Sequence, residues 1–153
     1  MHVLRAGLLV CLSLCVSSLT PAWGQDLRQA LIDSFQAEIQ ALNTGDLAAA
    51  VDPADDNIVL YGLYSPFPIE GKDAFEQAVK EYFDSHDSAT LRLVYPQYLV
   101  AGGTGVAWGH YELTTTPTGG TQELSHGQYM LTYARPAQEW RIISMHFAPL
   151  PGS

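Results

Sequence analysis

Four histidines in the latter two thirds of the chain, His86, His110, His126 and His146, are the side chains whose ordinary titration range suits proton transfer near neutral pH. His110 is the candidate general acid/base, with Glu38 or Tyr129 as a partner, because an imidazole in apolar surroundings is readily tuned for such work. The same spacing also fits a core histidine satisfied by one hydrogen bond. Glu38 fits a solvated helix position equally well, since its helical neighbours Ser34 and Leu42 are one polar and one apolar. Tyr61, Tyr64, Trp108 and Tyr129 could stack on a small apolar or aromatic molecule, with Ser125, Met145 and Phe147 completing a lining. Aromatic residues on strands are equally ordinary core filling. Neither a metal nor a cofactor is expected. The histidines lack close ligand spacing, Gly102-Gly103 with Gly105 opens no helix as a phosphate loop would, and no serine occupies a strand-to-helix elbow.

Those residues must be positioned by helices first and strands last. Leu27, Leu31, Phe35, Ile39 and Leu42 fall on one face of a helix over about 27–43, with Asp26 and Gln29 as a capping box at its start. Gly45 can end that helix, and Asp46 can cap a short one over 47–51 before Pro53. The run Ile58 to Leu63 reads as a strand, and Ser65-Pro66-Phe67-Pro68 as extended and irregular. Phe75, Val79, Tyr82 and Phe83 mark a third helix over about 72–83. From Thr90 the apolar period changes to two, giving strands over 91–100, 105–115, 122–133 and 140–147 joined by short turns. The expected class is α+β: a curved antiparallel sheet wrapped on three N-terminal helices as a cone.

The first residues are of a different kind. His2 and Arg5 precede the apolar stretch Ala6 to Val16, and Ala22-Trp23-Gly24 places small residues before a cleavage point, so 1–24 reads as a secretory signal peptide and 25–153 as one domain. The expected location is therefore outside the cytoplasm, periplasmic or secreted. Leu14 before Cys15 argues against lipidation, and the apolar core is about half of what a membrane span needs. Cys11 and Cys15 both lie in the signal, which leaves the domain without a thiol. The net charge is −9, and removal of the signal would take away Arg5 and no acid. Nucleic acid is therefore not an expected partner, and the scattered acids read as a solvated surface.

Three stretches carry a resemblance. Ala41-Leu42-Asn43-Thr44-Gly45-Asp46-Leu47, then Ala54-Asp55-Asp56 ahead of a strand, then Gly71-Lys72-Asp73-Ala74 opening a helix resemble the first half of the nuclear transport factor 2-like superfamily, which includes SnoaL-like proteins and ketosteroid isomerases. Glu139 to Phe147 is similar to its last strand. The resemblance implies a conical pocket with Trp108 and His110 aimed inward, and a homodimer through the convex sheet face with His126, Gln128, Trp140 and His146 toward the partner. The isomerase residues do not carry over: the base aspartate falls at Tyr61, the oxyanion tyrosine at Glu38 and the neutral acid near Tyr129. The metal-free carbonic anhydrases of this fold match only at His146. What remains is a cofactor-independent acid/base enzyme of isomerase, cyclase or dehydratase type, or a non-catalytic dimeric interaction module.

Overall fold

The computed structural model describes residues 22–62 and 65–151. Tyr64 and most of the expected signal peptide lie outside the described residues. Among the described residues the chain forms α1 (Ala22–Thr44), α2 (Leu47–Val51), β1 (Ala54–Gly62), β2 (Ser65–Glu70), α3 (Lys72–Asp84), β3 (His86–Ala101), β4 (Thr104–Pro117), β5 (Glu123–Ala134), a 3-10 turn (Pro136–Gln138) and β6 (Arg141–Pro149). The α+β class and the three helices are as expected.

Punctuation in the sequence sets most boundaries. Gly45 closes α1 in the left-handed region at φ 69, where a side chain would be strained. The Asp46 carboxylate then accepts from the Ala49 amide at 3.1 Å and starts α2. Helix α1 begins earlier than the pattern implies, at Ala22. Asp26 is therefore an internal position, and Gln29 donates to Asp33 rather than closing a capping box.

The six strands form one sheet in the order β2-β1-β6-β5-β4-β3. β3 to β6 make the expected antiparallel meander. β1 joins it parallel to β6, pairing Leu60 with Met145 and Tyr61 with His146, so the sheet is mixed rather than wholly antiparallel. The prolines of the 65–68 stretch sit in β2, the outer strand, where missing amide donors cost least.

Helix α1 lies across the inner face of the sheet, and two features hold it there. Asn43 clamps the backbone of Leu91 on β3, accepting from its amide at 2.7 Å and donating to its carbonyl at 3.0 Å. Leu31 and Phe35, both fully buried, enter a core with Ile58, Leu60, Tyr111, Leu131, Tyr133 and Phe147. The inner face has room for these rings because glycines face them across strands. A Cβ on Gly109 would come 3.0 Å from the Tyr129 hydroxyl of the residue it pairs with. A Cβ on Gly127 would come 2.3 Å from the ring of its own partner, Tyr111. The two tyrosine–glycine pairs on β4 and β5 thus let two large rings lie flat against the sheet.

Candidate functional site

Strand alternation sorts the candidate residues onto two faces, and the inner face gathers the unusual chemistry. Glu38 is 2 % exposed, the buried charged residue among the described core. It is there because 31, 35, 38 and 42 share one stripe of α1, which packs on the sheet. Its Oε2 accepts from the Tyr133 hydroxyl at 3.2 Å, while its Oε1 is buried with no partner. Burial drives its pKa up to about 8, against the smaller opposing effect of the Tyr133 hydrogen bond. The Tyr133 phenol is held well above its ordinary range, first by burial and then by the neighbouring Glu38.

Tyr129 stands on the same strand face, with its own hydroxyl buried and unpartnered. Its pKa is also raised, by burial first and then by Tyr98. Around this polar centre the rings form a cage. Phe35 stacks on Tyr129 with centroids 5.6 Å apart at 29°, Phe147 lies 6.3 Å from Tyr129 at 32°, and Tyr98 meets Phe35 edge-on at 5.9 Å. A carboxyl that is half neutral near pH 8 can give or take a proton, and phenols beside it can steady charge on an oxygen.

Of the expected site residues, the fold brings Glu38, Tyr129, Met145 and Phe147 together inside the cone. Ser125 shares their face, half-buried, with its hydroxyl donating to the Leu113 carbonyl at 3.5 Å. Trp108 and His110 are corrected. Both face outward on the convex side, Trp108 at 36 % exposure and His110 accepting from Gln128 at 3.3 Å. The reason is packing: the inner positions of β4 beside them are the small Ala107 and Gly109, and a side chain at 109 would meet the Tyr129 hydroxyl. His110 is therefore across the sheet from Glu38 and Tyr129. Tyr61 also lies outside, 49 % exposed and edge-on to His146 at 6.3 Å. Trp140, expected either to pack under the sheet or to meet a partner, is buried at the inner end of the sheet beneath Arg135.

Tyr133, Tyr98 and Tyr111 are the inner-face residues that sequence reasoning did not single out for the site. Tyr133 was within reach of it, lying four residues beyond Tyr129 at the same parity. No group of three His, Cys, Asp or Glu suited to a metal occurs among the described residues. No described helix is long and apolar enough to cross a membrane.

A curved six-stranded mixed sheet wrapped on helices as a cone is the architecture of the nuclear transport factor 2-like superfamily. The model of the SnoaL-like domain matches residues 35–140, and the chain belongs to that family. No curated protein sequence matches it. Among solved structures it is similar to a candidate dehydratase of the nuclear transport factor 2-like family from Streptomyces avermitilis, with 13% identity over 84% of this chain and 99% of that one and a TM-score of 0.73. A candidate scytalone dehydratase from Novosphingobium aromaticivorans matches at 12% identity, covering 82% and 88%, with a TM-score of 0.72. A nuclear transport factor 2-like superfamily protein from Salmonella enterica matches at 15% identity, covering 84% and 95%, with a TM-score of 0.72. At these identities the likeness is one of fold.

Proposed function

We propose that this chain is an exported small-molecule enzyme whose cone binds a flat apolar or aromatic molecule bearing an oxygen, with Glu38 as the general acid/base. Tyr133 positions and polarises Glu38, and Tyr129 offers its hydroxyl to the oxygen of the substrate. The observation that carries this reading is the buried Glu38 carboxyl, engaged through one oxygen only and held near pH 8 by desolvation. The reaction is of the isomerase, cyclase or dehydratase type, each of which can begin with proton removal beside a carbonyl and needs no cofactor. The neighbours described as candidate dehydratases support that type.

Deuterium incorporation from D2O into a panel of cyclic ketones and enones tests it. Exchange above background by the wild type, rising as pH passes about 8, is expected if the Glu38 carboxylate is the base. Glu38→Gln abolishes that exchange and His110→Ala preserves it. Exchange that survives Glu38→Gln removes Glu38 from the mechanism. Export is tested separately, by N-terminal sequencing of the protein recovered outside the cytoplasm; the expected first residue is Gln25.

A second reading, a homodimer through the convex sheet, is favoured by one observation. Trp108, Met130, His146 and Tyr61 pair in turn across β4, β5, β6 and β1, and Trp108, Met130 and Tyr61 are 36 %, 50 % and 49 % exposed. An apolar row roughly 14 Å wide on a sheet face suits a protein partner. Beside it, Glu112 is matched by Arg92 at 2.8 Å, so this face escapes the acidic excess that would oppose pairing of two copies.

A further inference from the structure

His86 opens β3 directly after α3 and stands in the common wall of two depressions. The larger, of about 490 Å³, is lined by Ala78, Glu81, Tyr82, Ser85 and, from the inner face of β4, Leu113 and Thr115. The smaller, of about 270 Å³, lies on the other side of His86, toward Asn43, Phe83, Asp87 and Thr90. The imidazole is held firmly between them. Its Nδ1 lies 2.8 Å from the Tyr82 carbonyl oxygen and 3.0 Å from Ser85 Oγ, and its ring lies 4.3 Å from that of Tyr82 at 36°.

A carbonyl oxygen can only accept, so Nδ1 carries the proton and Nε2 of the neutral ring is an acceptor. Among the described residues Nε2 has no hydrogen-bond partner. The rest of the lining has a consistent character. Glu81 borders the larger depression and Asp87 the smaller, neither is lined by a lysine or arginine, and Ala78 and Leu113 give the larger one an apolar floor. Gln77 engages one Glu81 oxygen, and the nearby Asp84 is taken up by Lys80. The Ser85 hydroxyl donates to the Tyr82 carbonyl at 3.0 Å, so the groups left to meet a ligand are an imidazole acceptor, a carboxylate oxygen, the Thr115 hydroxyl and an apolar surface.

We propose that His86 and the depressions it separates form a second binding site, distinct from the Glu38 cage, for a small organic cation: a primary amine on an apolar or aromatic body. The ammonium group donates to His86 Nε2 and is drawn by Glu81, while the body lies on Leu113 and Ala78. An anion of the same shape would meet the carboxylates with no compensating cation, and a neutral alcohol would lose the charge term.

Benzylamine, benzyl alcohol and benzoate are suitable probes, because they share one ring and differ in the charge of the polar end. The reading is the imidazole Hε1 resonance of His86 during titration of the full chain at constant pH and ionic strength. The expected result is a saturable shift with benzylammonium, a weaker one with benzyl alcohol and none with benzoate. His86→Asn retains a donor at the Nδ1 position and so the tie to Tyr82, but it lacks Nε2; followed by chemical shifts of Leu113 and Thr115, it should weaken benzylammonium on the order of tenfold. Glu81→Gln, on the exposed rim, should cost roughly two- to fivefold and narrow the preference over benzyl alcohol. Glu38→Gln should change nothing. Benzoate binding as tightly as benzylammonium, undiminished binding to His86→Asn, or no saturable shift with any probe would each overturn the assignment. Loss of binding in Glu38→Gln would place the amine in the cage instead.

Discussion

The two faces of β4, β5 and β6 are built from interleaved residues of the same strands, yet they serve opposite ends. The inner face buries Tyr111, Tyr129, Leu131, Tyr133 and Phe147 and strands a carboxyl among them; the outer face leaves Trp108, Met130 and His146 open. Side-chain size alone does not tell them apart, since both carry large aromatic residues. The difference lies in what is opposite. Inner rings sit over glycines and under α1, whereas outer rings have neighbours only along the sheet.

Changes on adjacent residues sharpen this contrast most. Phe147→Ala should cost about 3–5 kcal/mol of stability, whereas His146→Ala, one residue away, should stay within about 0.5 kcal/mol; chemical denaturation of the two variants measures both. Next in size is a pH effect confined to the inner face. Glu38 goes from an ordinary carboxyl value of 4.5 to about 8 on folding, so the folded chain binds the extra proton between those pH values. Stability is therefore highest below pH 4.5 as far as this group is concerned, falls as pH rises, and is lowest above pH 8. The loss is on the order of a few kcal/mol. Thermal melts of Glu38→Gln should lack this component, and the variant should gain on the wild type as pH is raised from 6 to 9.

Gly127→Ala should cost about 1–3 kcal/mol, because the added methyl meets the Tyr111 ring, while Gln128→Ala on the outer face should be nearly silent in the same unfolding measurement. Tyr133→Phe removes the hydrogen bond that lowers the Glu38 pKa, so carbon-detected NMR should find that carboxyl titrating higher still. The smallest effect on stability belongs to Trp108→Glu combined with Met130→Glu. This variant should leave the melt near wild type yet sediment as a monomer, if the outer face joins two copies.

Most of the fold was legible from spacing. The apolar stripe of α1, the Gly45-Asp46 junction and the change of period after Thr90 each fixed an element within a few residues. The parallel entry of β1 was not, because neither strand carries a mark of its neighbour. In the site, the stripe through Leu31 and Phe35 was the signal that Glu38 is buried. Trp108 and His110 were misplaced because strand parity gives two sets of residues without saying which is inside. The telling residues were the small ones, Gly105, Ala107 and Gly109, whose emptiness is filled from α1, β5 and Trp140. The sequence assigns His86 no role of its own, since its hold on the Tyr82 carbonyl arises from the close of a helix turn and has no sequence signature.

The pairing of β1 with β6 also governs the order in which the molecule can come together. Leu60 finds its partner in Met145, far along the chain, whereas β2, β4, β5 and β6 each pair with the strand just before them. The β3 to β6 meander can assemble by local closures, but the β1–β2 hairpin has no further strand to pair with until β6 exists. Such long-range closure slows folding relative to the hairpins. A chain still emerging from the ribosome would therefore carry the open edge of β1 unpaired until β6 is made.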